Sequence, residues 1–162
     1  MALDSVLITG CSAGGIGSAL ALAFQTRRLH VFATARSLSK MQHLSGIPNV
    51  TLVQLDVTDP ASVATAVKSV KETGNGKLKY LINNAGGGYV MPVLDTDIEK
   101  GKEMFEVNFW GPIRVANALS PMIIESTGTI VNISSGAAYI NFPWTGKSPL
   151  SGRWKTFRRL KR

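Results

Sequence analysis

The sequence holds too few cysteines and histidines for a disulfide framework or a zinc site. Cys11 is the one cysteine in 162 residues, so no intrachain disulfide can form. His30 and His43 are the two histidines, whereas structural zinc sites are built from clusters of such ligands. We therefore expect no metal in the function of this chain.

Long apolar runs are also absent. No stretch approaches the roughly 20 consecutive apolar residues that cross a bilayer, and residues 1–4 lack the basic start of a secretion signal. These absences favour a cytosolic location. The length of the chain is that of one domain with a single hydrophobic core.

Acidic residues are missing from the end of the chain, and this explains the net charge of +8. Residues 1–146 carry 11 basic and 10 acidic side chains, whereas residues 147–162 carry 7 basic side chains and no acidic one. The body of the chain is therefore near neutral, and only its tail is basic. This distribution disfavours nucleic acid as the partner of the folded part.

Apolar segments of two kinds alternate along the first 133 residues. Short β-branched runs predict strands at 5–9, 30–34, 50–55, 78–83 and 129–133. Apolar residues at helical spacing predict helices at about 16–28, 39–44, 61–72 and 98–124. Asp59 and Pro60 are typical of a helix start, with Asp59 as the cap. This alternation predicts an α/β fold with a doubly wound parallel sheet.

The first predicted strand runs directly into a glycine-rich segment, residues 9–17, and then into a helix. Glycines at such a junction let the backbone turn tightly and approach a pyrophosphate, which the helix N-terminus attracts. A glycine-rich turn without a ligand is the alternative, but the flanking strand and helix favour a nucleotide. The predicted phosphate-binding residues are Gly10, Ser12, Gly14, Gly15, Ile16 and Gly17.

The end of the second strand selects between two dinucleotides. A fold that prefers NAD usually places an acid there to bind the ribose hydroxyls. This chain has Arg36 and Ser37 instead, and a guanidinium beside a hydroxyl suits a 2′-phosphate. We therefore predict NADP(H) as the cofactor. The alternative is that Arg36 is a solvated turn residue.

Further motifs follow the later strands in order. They are Asp56-Val57, Asn83-Asn84-Ala85-Gly86, Val107-Asn108-Phe109-Trp110-Gly111 and Ile133-Ser134-Ser135. Together with the glycine-rich segment, they make residues 5 to about 145 resemble the short-chain dehydrogenase/reductase family. Within that family, the glycine-rich segment and residues 134–146 resemble the fungal NADPH-dependent 1-acyldihydroxyacetone-phosphate reductases.

The resemblance implies a Rossmann-like fold, here incomplete with about five strands, and a role for each motif. Asp56 would hold the adenine amino group beside the backbone of Val57. Asn108 would kink the long helix and hold a water in a proton relay. Ser135 would hydrogen-bond the substrate carbonyl and stabilise its negative charge. The residues expected to pack against the adenine ribose and to steady the central strand are Asn83, Asn84, Ala85 and Gly86.

Some of these residues have simpler interpretations, and the sequence departs from the family pattern at two places. Asparagines after a strand also form turns, and a serine after a strand also caps a helix. The glycine-rich segment is one residue longer than the usual form, so Gly14 and Gly15 compete for its middle position. No glycine precedes the second strand, so Leu29 is expected to end the first helix without a left-handed cap.

The proton donor of the family, a tyrosine followed four residues later by a lysine, has no counterpart in this sequence. None of the three tyrosines, Tyr80, Tyr89 and Tyr139, has a lysine at that distance. Counting from Ser135, the family position falls near Ser148, whose hydroxyl is too weak an acid to replace a tyrosine at neutral pH. Little or no activity is therefore expected.

We divide the chain into a partial NADP(H)-binding domain, 1–145, and a basic tail, 146–162, that does not resemble the family. The family continues with further helices and strands. Without them, we expect strand 129–133 to be a sheet edge, with low solubility and marginal stability. One hypothesis is a faulty gene model, in which the reading frame leaves its intended path near residues 146–148.

The predicted function is NADPH-dependent reduction of a ketone by hydride transfer, with a lipid-like substrate such as acyl-dihydroxyacetone phosphate. The resemblance also suggests a homo-oligomer through the long helix and leaves attachment to the endoplasmic reticulum or lipid droplets open. The first alternative is a non-catalytic nucleotide-binding fragment that associates with full-length partners. The second is a tail, carrying Trp154 and Phe157, that contacts nucleic acid or an anionic membrane.

Overall fold

A computed structural model describes residues 3–74 and 76–135 of the chain. The strands are β1 (Ser5–Ile8), β2 (His30–Ala35), β3 (Val50–Gln54), β4 (Tyr80–Asn83) and β5 (Thr129–Asn132). The helices are α1 (Ile16–Thr26), a 3-10 helix (Leu38–Leu44), α2 (Pro60–Thr73), a 3-10 turn (Val93–Asp95), α3 (Ile98–Phe105), a π-helical turn (Glu106–Trp110) and α4 (Gly111–Glu125). The predictions about Tyr139, Ser148 and the tail 146–162 lie outside the described residues.

All five strands form one parallel sheet in the order β3-β2-β1-β4-β5. β1 is central, with Val6 opposite Val31 of β2 and Tyr80 of β4. The order of the strands changes direction at β1, and in such sheets ligands bind at the carboxyl ends of the strands beside that point. The predicted α/β fold with a doubly wound parallel sheet is confirmed.

The central strands are buried on both faces of the sheet. One face packs against α2 and α4 and the other against α1 and the 3-10 helix. On the first face lie Leu7, Phe32, Leu81, Val70 and Leu119, and on the second lie Val6, Ile8, Val31, Ile82 and Met41. Complete burial of such a side chain contributes about 1.5–3 kcal/mol. Burial on both faces explains why these strands have continuous apolar sequences.

The helix predicted over 98–124 is interrupted by one turn of π-helix. Asp97 caps α3, since its carboxylate accepts the N–H groups of Glu99 at 2.9 Å and Lys100 at 3.3 Å. The π turn Glu106–Trp110 follows, and α4 continues from there to Glu125. A π turn inserts an extra residue into the helix. The winding therefore changes around Asn108, where the resemblance implies a kink.

The end of α1 corrects one prediction. The helix ends at Thr26, and a left-handed residue follows it, because Arg28 has a φ of 62°. The Leu29 N–H donates to Phe24 O at 3.3 Å and the Arg28 N–H donates to Gln25 O at 2.9 Å, as in a Schellman motif. The prediction of an end at Leu29 without such a cap is wrong. The local cost, about 1–2 kcal/mol for a left-handed residue other than glycine, falls on Arg28.

Two other elements also differ from the prediction in type or extent. The segment predicted as a helix at 39–44 is a 3-10 helix that begins at Leu38, and β4 begins at Tyr80 rather than at Leu78. Leu78 is fully buried before the strand, and its N–H donates to Met122 O at 3.2 Å. Asp59 caps α2 as predicted, with its carboxylate accepting the N–H of the second helical residue at 2.9 Å.

β5 lies at one edge of the sheet that the described residues form, where it pairs with β4 alone. Its four residues are half-buried, and Ile133, just beyond the strand, is 40% exposed.

In the part of the chain that the structure describes, no helix is both long enough and apolar enough to cross a membrane.

Candidate functional site

Two glycines let α1 pack directly against the loops that follow β1 and β4. Gly10 has a φ of 76°, and a Cβ there would lie 2.9 Å from the Cα of Ala85. A Cβ on Gly17 would overlap the carbonyl oxygen of Gly10 and the side-chain amide of Asn84. Both positions therefore require glycine, and the three segments meet without space for a side chain.

The next two glycines shape the open side of this loop. Gly14 has a φ of 74°, and no described atom lies within 4 Å of a Cβ built on it. Gly15 is the N-cap of α1, and no side chain caps the helix. The two candidates for the middle position therefore divide its work: Gly14 makes the turn and Gly15 begins the helix.

The start of α1 fits the pyrophosphate of a dinucleotide. The N–H groups of the first helical turn have no acceptor within the helix, so an anion can take them. The carbonyl of Ser12 accepts the Gly15 N–H at 3.1 Å, and Ile16 is 63% exposed at the first helical position. The predicted phosphate-binding residues therefore form one exposed cradle, with Gly10 and Gly17 as its packed base.

Asn84 ties the cradle to the end of β4. Its side-chain amide donates to Thr9 O at 2.8 Å and to Gly10 O at 3.1 Å. In return, the Thr9 hydroxyl oxygen accepts the N–H groups of Asn84 and Ala85, both at 2.9 Å. Thr9 is absent from the predicted site residues, whereas Asn84 belongs to the motif that is expected to pack against the adenine ribose and to steady the central strand.

Asn83, which is among the predicted residues, faces a different neighbour. Its side-chain amide donates to Asn132 Oδ1 on β5 at 2.8 Å, and its own Oδ1 is buried with no partner among the described residues. Asn83 therefore joins the two strands rather than contacting the cradle. Ala85 and Gly86 follow it into the loop after β4.

Basic residues lie where β2 ends beside the cradle. Arg36 is exposed directly after β2, and the Ser37 hydroxyl pairs with that of Ser39 at 2.8 Å. The Lys40 carbonyl accepts the Ala13 N–H at 2.9 Å, which places Lys40 against the cradle. Lys40 is not identifiable from the sequence as a site residue, because its contact with residue 13 is tertiary. Arg36 and Lys40, both basic, therefore lie in the segment that follows β2 beside the cradle.

Asp56 follows β3 and is ordered by its own turn. Its Oδ1 accepts the Thr58 N–H at 2.9 Å and the Thr58 hydroxyl at 2.8 Å. Desolvation by burial raises the pKa of this carboxyl, but the bonds from Thr58 and the charges of Arg36 and Arg114 together lower it below its usual value. Asp56 is therefore an ionised acceptor, as required for an adenine amino group, and Val57 beside it is buried.

Asn108 lies in the π turn and holds the loop after β4. Its Oδ1 accepts the Gly87 N–H and its Nδ2 donates to the Gly87 carbonyl, both at 2.9 Å. A Cβ on Gly86 would lie 3.1 Å from the same Oδ1, so the loop fits closely around the amide. The water that the resemblance assigns to Asn108 stays a prediction.

Ser135 follows β5 and is exposed. Just before it, the Ile133 N–H donates to the Asn83 carbonyl at 2.9 Å, which continues the pairing with β4 one residue past the end of β5. Ser135 therefore lies after the carboxyl end of β5, at the same edge of the sheet as the cradle but on the other side of β4. Its role towards a substrate carbonyl stays a prediction.

Cys11 takes no part in this arrangement. The Cys11 S–H donates to Ile8 O at 3.3 Å, and burial raises the pKa of the thiol to about 11, against a smaller opposing effect of the Thr34 backbone. Such a thiol is protonated and unreactive at neutral pH. Across 3–74 and 76–135, no three His, Cys, Asp or Glu side chains are grouped so that they could hold a metal ion.

The predicted residues thus meet at one edge of the sheet, each placed by a different strand. The cradle follows β1, Arg36 and Ser37 follow β2, Asp56 and Val57 follow β3, Ala85 and Gly86 follow β4, and Ser135 follows β5. An elongated ligand with a central diphosphate fits such an edge, since its phosphates would lie at the cradle with one half on each side.

Known proteins resemble this chain over most of its length. A model of the family described as short chain dehydrogenase matches residues 4–147. Short-chain dehydrogenase PC-15 of Penicillium crustosum is 52% identical over 142 residues, which are 88% of this chain and 52% of that protein. An NADPH-dependent 1-acyldihydroxyacetone phosphate reductase of Schizosaccharomyces pombe is 47% identical over 137 residues, 85% of this chain and 46% of that one.

A solved structure is also similar. The structure of ElxO with NADP bound superposes with a TM-score of 0.77 at 30% identity, covering 89% of this chain and 60% of that chain. The present chain spans about half the length of the curated relatives that it matches.

Proposed function

The chain belongs to the short-chain dehydrogenase family, and from this premise we propose that it binds NADP(H) along the carboxyl edge of its sheet. The observation that carries the proposal is the meeting of residues from different strands at that edge, around an uncapped helix start. The diphosphate would lie on the N–H groups of α1, with the adenosine half towards Asp56 and the nicotinamide half towards Asn108.

Charge supports NADP(H) over NAD(H). Residues 36–40, which follow β2, are Arg-Ser-Leu-Ser-Lys and include no acid that would repel a 2′-phosphate. Arg36 offers a planar set of donors that suits a phosphate, and Lys40 adds a second cation beside the cradle. The similarity to an NADPH-dependent reductase and to a structure with NADP bound supports the same choice.

We propose that the reaction of this lineage is the reduction of a ketone. NADPH supplies the hydride when it is bound. Ser135 would donate a hydrogen bond to the substrate carbonyl oxygen and stabilise the negative charge that develops there. Asn108 would keep the loop after β4 in place through Gly87 and hold the water of a proton relay. A lipid-like ketone is the proposed substrate class, because the Schizosaccharomyces pombe relative is named for acyldihydroxyacetone phosphate.

A second candidate function is cofactor binding without turnover. The 162 residues contain no tyrosine with a lysine four positions later, so the usual proton donor of the family has no equivalent here. A serine hydroxyl does not replace it at neutral pH. We therefore propose little or no reductase activity for this chain as it stands.

Fluorescence titration of the full chain with NADPH and NADH tests the cofactor proposal. NADPH should bind more tightly than NADH, and Arg36→Ser should weaken NADPH by roughly tenfold or more, because a charged hydrogen bond is worth about 1.5–3 kcal/mol. The affinity for NADH should change little, since it has no 2′-phosphate.

Lys71→Ser is the matched control for this titration. It also removes an exposed positive charge, but in the last turn of α2, which does not belong to the site. Equal affinities of the wild-type chain for NADPH and NADH would overturn the NADP(H) proposal. Oxidation of NADPH by a ketone at a rate typical of an enzyme would instead overturn the proposal of a nearly inactive chain.

A further inference from the structure

Arg114 joins the loop after β3 to the π turn. Its Nη1 donates to the carbonyl of Val57 at 2.7 Å, and its Nη2 donates to Glu106 Oε2 at 3.0 Å. The Arg114 side chain is 26% exposed and that of Glu106 is 47% exposed. The ion pair is therefore partly shielded, and the guanidinium is shared between two acceptors that belong to different segments.

The spacing of this ion pair is unusual for a helix. Side chains normally meet across three or four residues, whereas eight residues of regular α-helix rise about 12 Å. Glu106 and Arg114 are eight residues apart, at the start of the π turn and in the first turns of α4. These two long side chains thus span the change in helical winding, and Arg114 also reaches the loop after β3.

The backbone of α4 comes equally close to that loop. A Cβ on Gly111 would lie 2.7 Å from Val57 Cγ2, so only glycine allows this approach. Val57 is 6% exposed beneath the helix. The residue that follows Asp56 is therefore held by packing at its side chain and by Arg114 at its carbonyl.

The same π turn also holds the loop after β4. Asn108 makes its two bonds with Gly87 only two residues after Glu106. One turn of helix is thus attached to two loops, which belong to the adenosine half and the nicotinamide half of the proposed site. Arg114 itself is not among the residues proposed to contact the cofactor.

We propose that Arg114 is a positioning residue for the adenosine half of the cofactor, acting through the carbonyl of Val57 and the carboxylate of Asp56. This inference rests on the proposed function, since the loop matters for binding only if NADP(H) lies there. Arg114 fixes the loop by its bond to Val57, and its charge lowers the pKa of Asp56, whose own burial acts in the opposite direction. Without the guanidinium, the loop would lose its connection to the π turn.

The test measures affinity of the full chain for NADPH and for adenosine 2′,5′-bisphosphate, which carries only the adenosine half. Arg114→Met should weaken both ligands by the same factor, roughly tenfold, because only the shared half is disturbed. Arg114→Lys should recover part of this loss, since it keeps the charge but not the paired donors. Glu106→Gln, which replaces the charged acceptor of Arg114 with a neutral amide, should weaken both ligands by roughly threefold.

Amide hydrogen exchange separates positioning from a general loss of structure. Protection should fall at Thr58 and Asp59, whose N–H groups donate to Asp56, while Val31 in the sheet stays protected. If Arg114→Met does not fold, Glu106→Gln decides, and an unchanged affinity for both ligands in that variant overturns the inference.

Two further outcomes are separable. A wild-type chain that binds neither ligand overturns the proposed function, and the inference falls with it. A wild-type chain that binds both, with folded Arg114→Met binding them equally well or losing protection throughout the sheet, overturns the inference alone.

Discussion

Because of Cys11, the free energy of unfolding is expected to change with pH in the alkaline range. Burial raises the pKa of its thiol to about 11, whereas an exposed cysteine has a pKa of roughly 8.5. Below about pH 8 the thiol is protonated in both the folded and the unfolded chain, so its titration has no effect. At higher pH the unfolded chain loses this proton while the folded chain keeps it. The free energy of unfolding therefore falls as pH rises towards the folded-state pKa.

We predict that the wild-type chain loses roughly 2 kcal/mol more of its free energy of unfolding than Cys11→Ala does between pH 8 and pH 11. Urea unfolding of both chains at both pH values measures the difference. The other titratable groups are common to the two chains, so their contributions cancel. Equal losses in the two chains would refute the prediction.

The type of residue that follows a predicted strand identifies some of the site residues, but others cannot be identified in this way. Arg36 and Asp56 are identified by type and position alone, because a strand end places them at the sheet edge. The choice between Asn83 and Asn84 depends on the last residue of β4, because successive side chains of a strand alternate in direction. Asn83 is inside the strand and Asn84 outside it. Arg114 gave no sequence signal, since its partner Val57 is 57 positions away.

After the end of α1, the surrounding structure holds Arg28 in a left-handed backbone conformation that arginine disfavours. Arg28 has an exposed side chain and a φ of 62°, which glycine adopts without strain. We predict that Arg28→Gly raises the free energy of unfolding by about 1 kcal/mol, after allowance for the larger entropy of glycine in the unfolded chain. Urea or thermal unfolding measures the change.

Two other residues calibrate this prediction. Thr127, two residues after the end of α4, has a φ of 49°. Thr127→Gly should stabilise the chain at least as much as the change at Arg28, because threonine is β-branched. Asn49 has a φ of 62° but asparagine tolerates this conformation, so Asn49→Gly should have a smaller effect. A gain at Asn49 that matches the gain at Arg28 would count against the argument.

Elements with strong periodicity are predictable, and those fixed by tertiary contacts are not. The central strands are buried on both faces, and their continuous apolar runs show where they lie. The π turn is different, because the apolar spacing over 98–124 is compatible with α-helix throughout. The bonds of Asn108 to Gly87 and of Glu106 to Arg114 accompany the extra residue there, and both involve side chains whose partners the sequence does not reveal.

At the scale of the whole molecule, the surface that we expect to favour self-association is the edge that β5 forms among the described residues. Among the described residues β5 pairs with β4 alone, and Ile133 beside it is 40% exposed. A β-rich edge with little charge can add a strand from another molecule. The low solubility expected from the sequence stays a prediction, and the edge at β5 is the surface at which we expect association to occur.

We predict that Ile133→Lys reduces self-association of the full chain, because a lysine at the edge opposes strand addition. Ile124→Lys is the matched control, since Ile124 is 39% exposed but lies on α4 rather than at the edge. Light scattering and size-exclusion chromatography at several concentrations measure the effect. Equal gains in solubility from both lysines would indicate a general effect of charge and not the edge.

The bonds between Thr9 and Asn84 also have a consequence for how the chain is made. The two residues are 75 positions apart. A ribosome that adds about 5–20 residues per second emits Asn84 roughly 4–15 s after Thr9. During that interval the nascent glycine-rich segment lacks its bonds to Asn84, although its bonds to Thr34 and Lys40 can already form. The cradle at which we propose that NADP(H) binds is therefore complete only after Asn84 has been translated.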